Sequence, residues 1–274
     1  MKGVTVPLIA EGKTKKIFDD LHHEGCVLVE STNNTTAGDG ERAAQIEGKG
    51  EFANRTTCNI FEYLRSKGVF THYWQQINET TFRADKLRMI PIEVVMRRRA
   101  VGSYLKRNPE VVEGHVFGDV VVELFWKDDS LHDPIMEWDE ERKVFNLLDP
   151  STADKRKVGR VKTDLLGLDI APREIREQLI SSGSAIFCHL ERALDSLGVV
   201  LIDLKVEFGV DRWGQIVLGD VIDPDSWRAW IDGDPAKAID KQGFRDAPEI
   251  TNDVMMSIYN KYRYAAELTD KLPR

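Results

Sequence analysis

No run of apolar residues in this chain approaches the roughly 20 needed to span a bilayer, so a membrane-spanning helix is not expected. The first residues, Met1-Lys2-Gly3-Val4-Thr5, offer neither an apolar core nor a small-residue cleavage site, and no signal peptide is expected. Cysteine is scarce. Cys26, Cys58 and Cys188 are isolated and odd in number, which suits buried thiols in a reducing compartment better than disulfides or a zinc site. The six histidines form no pair at metal-binding spacing. Neither a Walker A pattern nor G-x-G-x-x-G occurs, which excludes a P-loop and a Rossmann fingerprint. Positive charge is in the minority, with 38 Lys and Arg against 46 Asp and Glu, a net charge of -8. A broad nucleic-acid-binding surface is therefore not expected. These absences point to a cytoplasmic protein that touches neither nucleic acid nor membrane.

The 274 residues are 42% hydrophobic and 31% charged, enough for a sizeable core in one large or two modest domains. Residues 4–10, 16–18, 26–31 and 70–74 read as short strands, and residues 47–66 carry helical spacing that stops at Gly68. This is an antiparallel sheet with a helix against it. Residues 86–91 read as a hinge, because Pro91 biases its predecessor to extended geometry. Strands are expected at 92–96 and 120–126, and a short helix at 103–107 that Pro109 stops. Residues 127–165 are polar and turn-rich and read as a long loop with some helix; residues 223–249 read as an acidic loop. Pro172 opens a long helix ending at Gly198, and a terminal helix covers 251–268. The division expected is an N-terminal unit over 1–90 and a C-terminal unit over 91–274.

The most informative stretch is residues 201–209. It alternates strictly, so one strand face carries Asp203, Lys205 and Glu207 and the other carries Leu204, Val206 and Phe208. A second alternating run, 215–220, follows after a short link. An even-numbered loop centred on Arg212 and Trp213 sets Lys205 opposite Asp220 and Glu207 opposite Leu218. Asp220 then shares a face with Glu207, diagonally, at roughly 7–8 Å. Two carboxylates and an ammonium on one face suit a divalent cation holding phosphates. A solvated amphipathic hairpin accounts for the pattern equally well.

Basic residues cluster elsewhere. Lys13 and Lys15 follow a Gly turn and suit phosphate, although lysines also guard an edge strand. Arg97, Arg98 and Arg99 end an apolar strand just before a helix start at Ser103, a good phosphate grip. The segment Thr35-Thr36-Ala37-Gly38-Asp39-Gly40 is either a surface turn or a loop that approaches a ligand. A net-acidic chain with tight basic clusters fits a binder of small anions.

Taken in order, EGKTKKIF, NNTTAGDG, IPIEVVMRRRAVGSYLKR, HDP, LIDLKVEFG, VLGDVIDPDSWR and DKQGFRD resemble the SAICAR synthetase family of purine biosynthesis over residues 9 to 246. The resemblance implies an α+β, two-part fold of the ATP-grasp and kinase-like kind, with antiparallel sheets and a nucleotide cleft between the parts. It implies an ATP-dependent ligase that joins the carboxylate of carboxyaminoimidazole ribotide (CAIR) to the amine of L-aspartate. ATP and Mg²⁺ would be its cofactors, and a homo-oligomer is compatible with it. Lys13 and Lys15 would contact ATP phosphates, and the backbone near Met89 would hold adenine. Glu207 and Asp220 would hold Mg²⁺. Arg97, Ser103 and Arg228 would bind the ribotide phosphate. Lys205 and Asp203 would line the CAIR head-group site, with Asp39 near it. Departures from the family pattern are Glu11, Trp227 and the extra length over 136–164. A small-molecule kinase would need a base beside its acceptor hydroxyl. An inactive nucleotide-binding module is disfavoured by Lys13, Glu207 and Asp220.

Overall fold

The computed structural model describes residues 6–37, 42–161 and 172–273. The N-terminal sheet has five antiparallel strands, β1 (Leu8–Glu11), β2 (Lys15–Asp19), β3 (Cys26–Ser31), β6 (Tyr73–Gln76) and β7 (Thr81–Asp85), in the order β1-β2-β3-β7-β6. A separate hairpin joins β4 (Asn34–Ala37) to β5 (Arg42–Gln45). Helix α1 (Lys49–Ser66) buries Ile60, Phe61 and Leu64 against Val27, Val29 and Phe82. Burying each such side chain stabilises by roughly 1.5–3 kcal/mol. The helix stops as read from sequence: Gly68 takes φ +83°, and its N–H closes onto the Arg65 carbonyl.

The second sheet runs β12-β11-β10-β9-β8-β13-β14, also antiparallel. Its strands are β8 (Arg88–Arg99), β9 (Val116–Trp126), β10 (Ile135–Asp139), β11 (Val144–Leu148), β12 (Lys157–Val161), β13 (Val199–Val210) and β14 (Ile216–Gly219). A further strand, β15 (Trp227–Ile231), pairs with the first half of β13. Helix α2 (Ser103–Arg107) lies between β8 and β9 in sequence. The long helix α3 (Pro172–Asp195) covers one face of the sheet with Ile175, Leu179, Ile186, Phe187 and Leu190. The approach is close. A Cβ at Gly183 would stand 2.9 Å from Val94 Cγ1 and 3.0 Å from Met96 Sδ. The pleat then turns Glu93, Val95 and Arg97 of β8, and Asp203, Lys205 and Glu207 of β13, to the other face. The chain closes with α4 (Gln242–Asp246) and α5 (Asn252–Thr269), the latter capped by the Thr251 side chain and packed on α1.

One apolar core joins the sheets, from Val27 and Phe82 through Phe61 to Val94, Leu204 and Phe187. Among the described residues no helix is long and apolar enough to cross a membrane.

Several expectations need correction. Residues 127–161, the described part of the segment expected as a long loop, are not one. They hold three strands that extend the sheet to its β12 edge, with Met136, Phe145 and Leu147 buried. Their alternation is short and broken by polar turns, which hides it. Nor are residues 223–249 irregular, since β15 and α4 lie there, and Trp227 is buried with its indole N–H on the Ile239 carbonyl. The hinge at 86–91 is continuous strand from Arg88. Pro91 falls where pairing with β13 is irregular between Glu207 and Gly209, so its missing N–H costs no ladder bond. The strand expected at 70–74 is Tyr73–Gln76. The β4–β5 hairpin and β7 were not expected from the sequence.

Candidate active site

The face of the large sheet opposite α3 floors a cleft of about 700 Å³, walled on one side by the β1–β2 turn and on another by residues 220–228. Lys13, Lys15, Arg97, Ser103, Asp203, Lys205, Glu207, Asp220 and Arg228 all line it, so nearly every residue singled out by sequence meets there. Asp39 lies outside the described residues.

One end of the cleft is an arginine cluster. Arg97, 3% exposed, donates from Nε to Glu123 Oε2 at 2.7 Å and from Nη1 to Asp203 Oδ2 at 3.0 Å. Arg228 donates to the same Asp203 oxygen. Arg107 reaches the other Glu123 oxygen at 2.7 Å and also the Ser103 carbonyl at 2.9 Å. Three guanidinium groups thus share two carboxylates, leaving net positive charge where an anion would sit. Gly102, at φ +60°, lies so close under Arg228 that a Cβ would stand 2.7 Å from its Nη2. Asp203 therefore faces the arginines, while Lys205 faces Glu93 at 2.6 Å.

The centre is a lysine–glutamate lattice. Lys127 Nζ holds both Glu207 oxygens at 2.8 Å, and Lys205 stands 3.9 Å from Glu207. Burial works against the Glu207 carboxylate, but Lys127, Lys205 and Lys15 outweigh it and hold its pKa below the usual range. Burial likewise opposes the Lys205 charge, and Glu93 and Glu207 more than offset it, raising its pKa. Lys15 has the opposite balance. Burial, with Lys127 and Lys205 nearby, pulls its pKa down to about 8 against the pull of Glu207 and Asp223.

The hairpin register differs from expectation by one residue. Glu207 pairs with Gly219, Phe208 with Leu218 and Val210 with Ile216. The loop is odd-numbered because Asp211 Oδ1 accepts from the N–H groups of both Trp213 and Gln215, and Gly214 takes φ +82°. Pleating alone would then turn Asp220 away from Glu207. Asp220 instead leaves the strand at φ +58°, and its carboxylate turns back into the cleft to meet Lys15.

A smaller, apolar cavity of about 460 Å³ adjoins the cleft and shares Lys15, Lys127, Glu207 and Asp220 with it. Its walls include Ile17, Val27, Val29, Leu87, Met89 and Ile90. Met89 thus belongs to this cavity, as part of β8. His72 lines this cavity too, and burial, with Lys15 nearby, pushes its pKa down to about 3.

At the far wall Lys241 pairs with Asp225 at 2.6 Å. Burial opposes the Asp225 charge, yet Lys241 holds its pKa low; neighbouring Asp223 is pushed up by burial. Lys49, 1% exposed, donates to the Asn34 carbonyl at 3.0 Å and stands 4.6 Å from the Tyr262 ring; burial depresses its pKa. Of the unassigned HDP residues, Asp133 lines the cleft and accepts from the Asp128 N–H at 2.8 Å.

Among the described residues no three acidic, histidine or cysteine groups converge as a metal cage. Glu207 and Asp220 nevertheless line one cleft, each against an ammonium group. Two carboxylates beside a phosphate site are the donor set of a Mg²⁺ carried largely by its nucleotide. The residues fit that ion and do not fit an all-protein site.

Lys127, Glu93, Glu123, Lys241 and His72 were not found from sequence. Glu93 and Glu123 had a usable signal, a lone carboxylate inside an apolar strand. Lys127 had none; the Pro91 carbonyl, accepting its backbone N–H at 3.0 Å, places it.

A family model described as SAICAR synthetase matches residues 8–261. A probable multifunctional protein ADE2 of Caenorhabditis elegans is 41% identical over 262 residues, covering 96% of this chain and 58% of that protein. A phosphoribosylaminoimidazole-succinocarboxamide synthase of Chloroflexus aurantiacus is 37% identical over 265 residues, covering 96% of each. The chain therefore spans 58% of the length of the first relative and nearly all of the second. A solved SAICAR synthetase in complex with ADP matches with a TM-score of 0.73 at 28% identity, over 97% of this chain and 99% of that one.

Proposed function

The chain belongs to the SAICAR synthetase family, and from this and its cleft we propose that it joins CAIR to L-aspartate, converting ATP to ADP and phosphate. The observation that carries the proposal is the separation of two cation groups in one cleft. Lys15 and Lys127 line both the cleft and the apolar cavity, Lys13 lines the cleft beside Lys15, and Arg97 with Arg228 lines the cleft but not that cavity. A nucleotide triphosphate and a second phosphorylated substrate each find a grip, and Lys205 lies in the floor with them.

Adenine enters the apolar cavity near Met89, and Lys13 and Lys15 take the phosphates. Arg97, Ser103 and Arg228 hold the ribotide phosphate, with Asp203 keeping the two guanidinium groups aligned. Lys205 receives the CAIR carboxylate. Glu207 and Asp220 would hold Mg²⁺, which when bound supplies charge neutralisation between phosphates. Transfer of the terminal phosphoryl group to the carboxylate makes an acyl phosphate. The amine of aspartate then attacks its carbonyl carbon and phosphate leaves. Such chemistry runs on positioning and charge stabilisation more than on a dedicated base. Three anionic substrates repel one another, and the lysines and arginines offset that repulsion.

Residues 1–90 and 91–274, which meet within β8, are the two parts that hold the nucleotide between them, in the manner of ATP-grasp and kinase-like folds. The free thiols suit a cytoplasmic location, and the partners are small molecules, with a homo-oligomer compatible with this reading. The test is ADP release with CAIR and L-aspartate supplied separately and together. Release that needs both supports the ligase. Rapid release with neither, or stoichiometric phosphorylation of an added hydroxyl compound, refutes it.

A further inference from the structure

Asp220 is on the wrong face for its register. Glu207 pairs with Gly219, so a regular strand would point the Asp220 side chain away from the Glu207 side. Only the left-handed backbone at Asp220, φ +58°, brings both carboxylates into one cleft. Aspartate tolerates that conformation better than most residues, but it still needs support.

The support comes from a segment far away in sequence. His72 Nε2 lies 2.9 Å from the Asp220 carbonyl oxygen. A carbonyl only accepts, so Nε2 carries the hydrogen. The His72 N–H also donates to the Leu218 carbonyl at 2.9 Å, and the Leu218 N–H donates to the Phe70 carbonyl at 3.0 Å. Residues 70–72 thus run beside the end of β14 as a short parallel bridge. The imidazole is held edge-on by Phe61 and Phe82, at ring distances of 5.3 and 5.7 Å, and His72 is 5% exposed. The ring has little room to turn its donor elsewhere.

We propose that His72 is a positioning residue whose Nε2–H bond holds Asp220 in the left-handed conformation that turns its carboxylate onto the metal–phosphate site. The proposal rests on the reading that Asp220 and Glu207 hold Mg²⁺.

The test measures ADP affinity with Mg²⁺ and with EDTA, and takes the ratio. His72→Phe keeps an aromatic ring and removes the donor. It is expected to cut the Mg²⁺-dependent gain, the ratio of the two affinities, roughly tenfold, as loss of a group that orients a metal ligand does; because His72 also lines the apolar cavity, the affinity in EDTA serves as each variant's own baseline. His72→Gln, whose amide nitrogen reaches about as far as Nε2, restores the gain. Should His72→Phe fail to fold, His72→Asn replaces it, since its amide is too short to reach Asp220. A donor-less variant with the full Mg²⁺ gain overturns the proposal, and so does equal loss with and without metal. Asp220→Asn run in parallel separates the two ideas. If it keeps the gain, the metal reading of Asp220 falls and the His72 role with it. If it loses the gain while His72→Phe keeps it, only the His72 role falls.

Discussion

Replacing Gly102 by alanine should damage one substrate site selectively. Gly102 adopts φ +60° and ψ -132°, a region that side chains avoid. Holding alanine there costs about 1–3 kcal/mol. For a chain of this size that lowers Tm by roughly 2–10 °C. The new methyl group would also stand 2.7 Å from Arg228 Nη2 and 3.0 Å from its Cζ. The guanidinium must move, yet it is tied on its other side to Asp203, which is itself tied to Arg97. Displacement therefore disturbs both arginines of the proposed phosphate grip. Losing one charge-assisted hydrogen bond to phosphate costs about 1.5–3 kcal/mol, or roughly 10- to 100-fold in KM. Steady-state kinetics should show that rise in KM for CAIR with KM for ATP nearly unchanged. Arg228→Lys should reproduce the KM effect without the fall in Tm, because lysine keeps the charge and loses the fork. If Gly102→Ala raised both KM values together, or lowered Tm while leaving the CAIR KM alone, the placement of the ribotide phosphate would be wrong.

Glu207→Gln should lower kcat by at least about 100-fold, with near-native circular dichroism. Wild-type turnover at low Mg²⁺ would sink its metal role. Lys15 has a folded pKa near 8 against an ordinary 10.5, and bound phosphates should raise it again. Nucleotide binding at pH 8 should thus take up about half a proton, read by calorimetry in buffers of different ionisation enthalpy. No uptake, or uptake that persists in Lys15→Met, would refute this. Because its folded pKa is lowered, the unfolded chain binds the extra proton, and the Lys15 contribution to stability rises as pH climbs from about 8 to 10.5. Gly183→Ala should cost about 1–3 kcal/mol by forcing Val94 and Met96 aside, and both KM values should stay put; unchanged thermal stability would contradict the packing of α3 on β8.

Local signals carried the reading of the sequence as far as local physics reaches. Period 2 in residues 201–209 needs only the pleat, so the shared face of Asp203, Lys205 and Glu207 was legible. Pro172 at a helix start and Gly68 after a helix end speak through their own backbone preferences. Strands β10 to β12 were missed because each is short and set among polar turns, and only burial against the sheet decides them. The hairpin register was missed because the Asp211 side chain, not the strands, sets the parity of the loop. The residues themselves determine which side chains are charged, which strand faces alternate and where helices begin and end, since those depend on neighbours in the chain. Tertiary structure alone decided that Lys127 would grip Glu207, that Glu123 would join Arg97 to Arg107, and that His72 would meet Asp220 across 148 positions. Such contacts depend on how two sheets pack around one core, and no spacing along the chain encodes that distance.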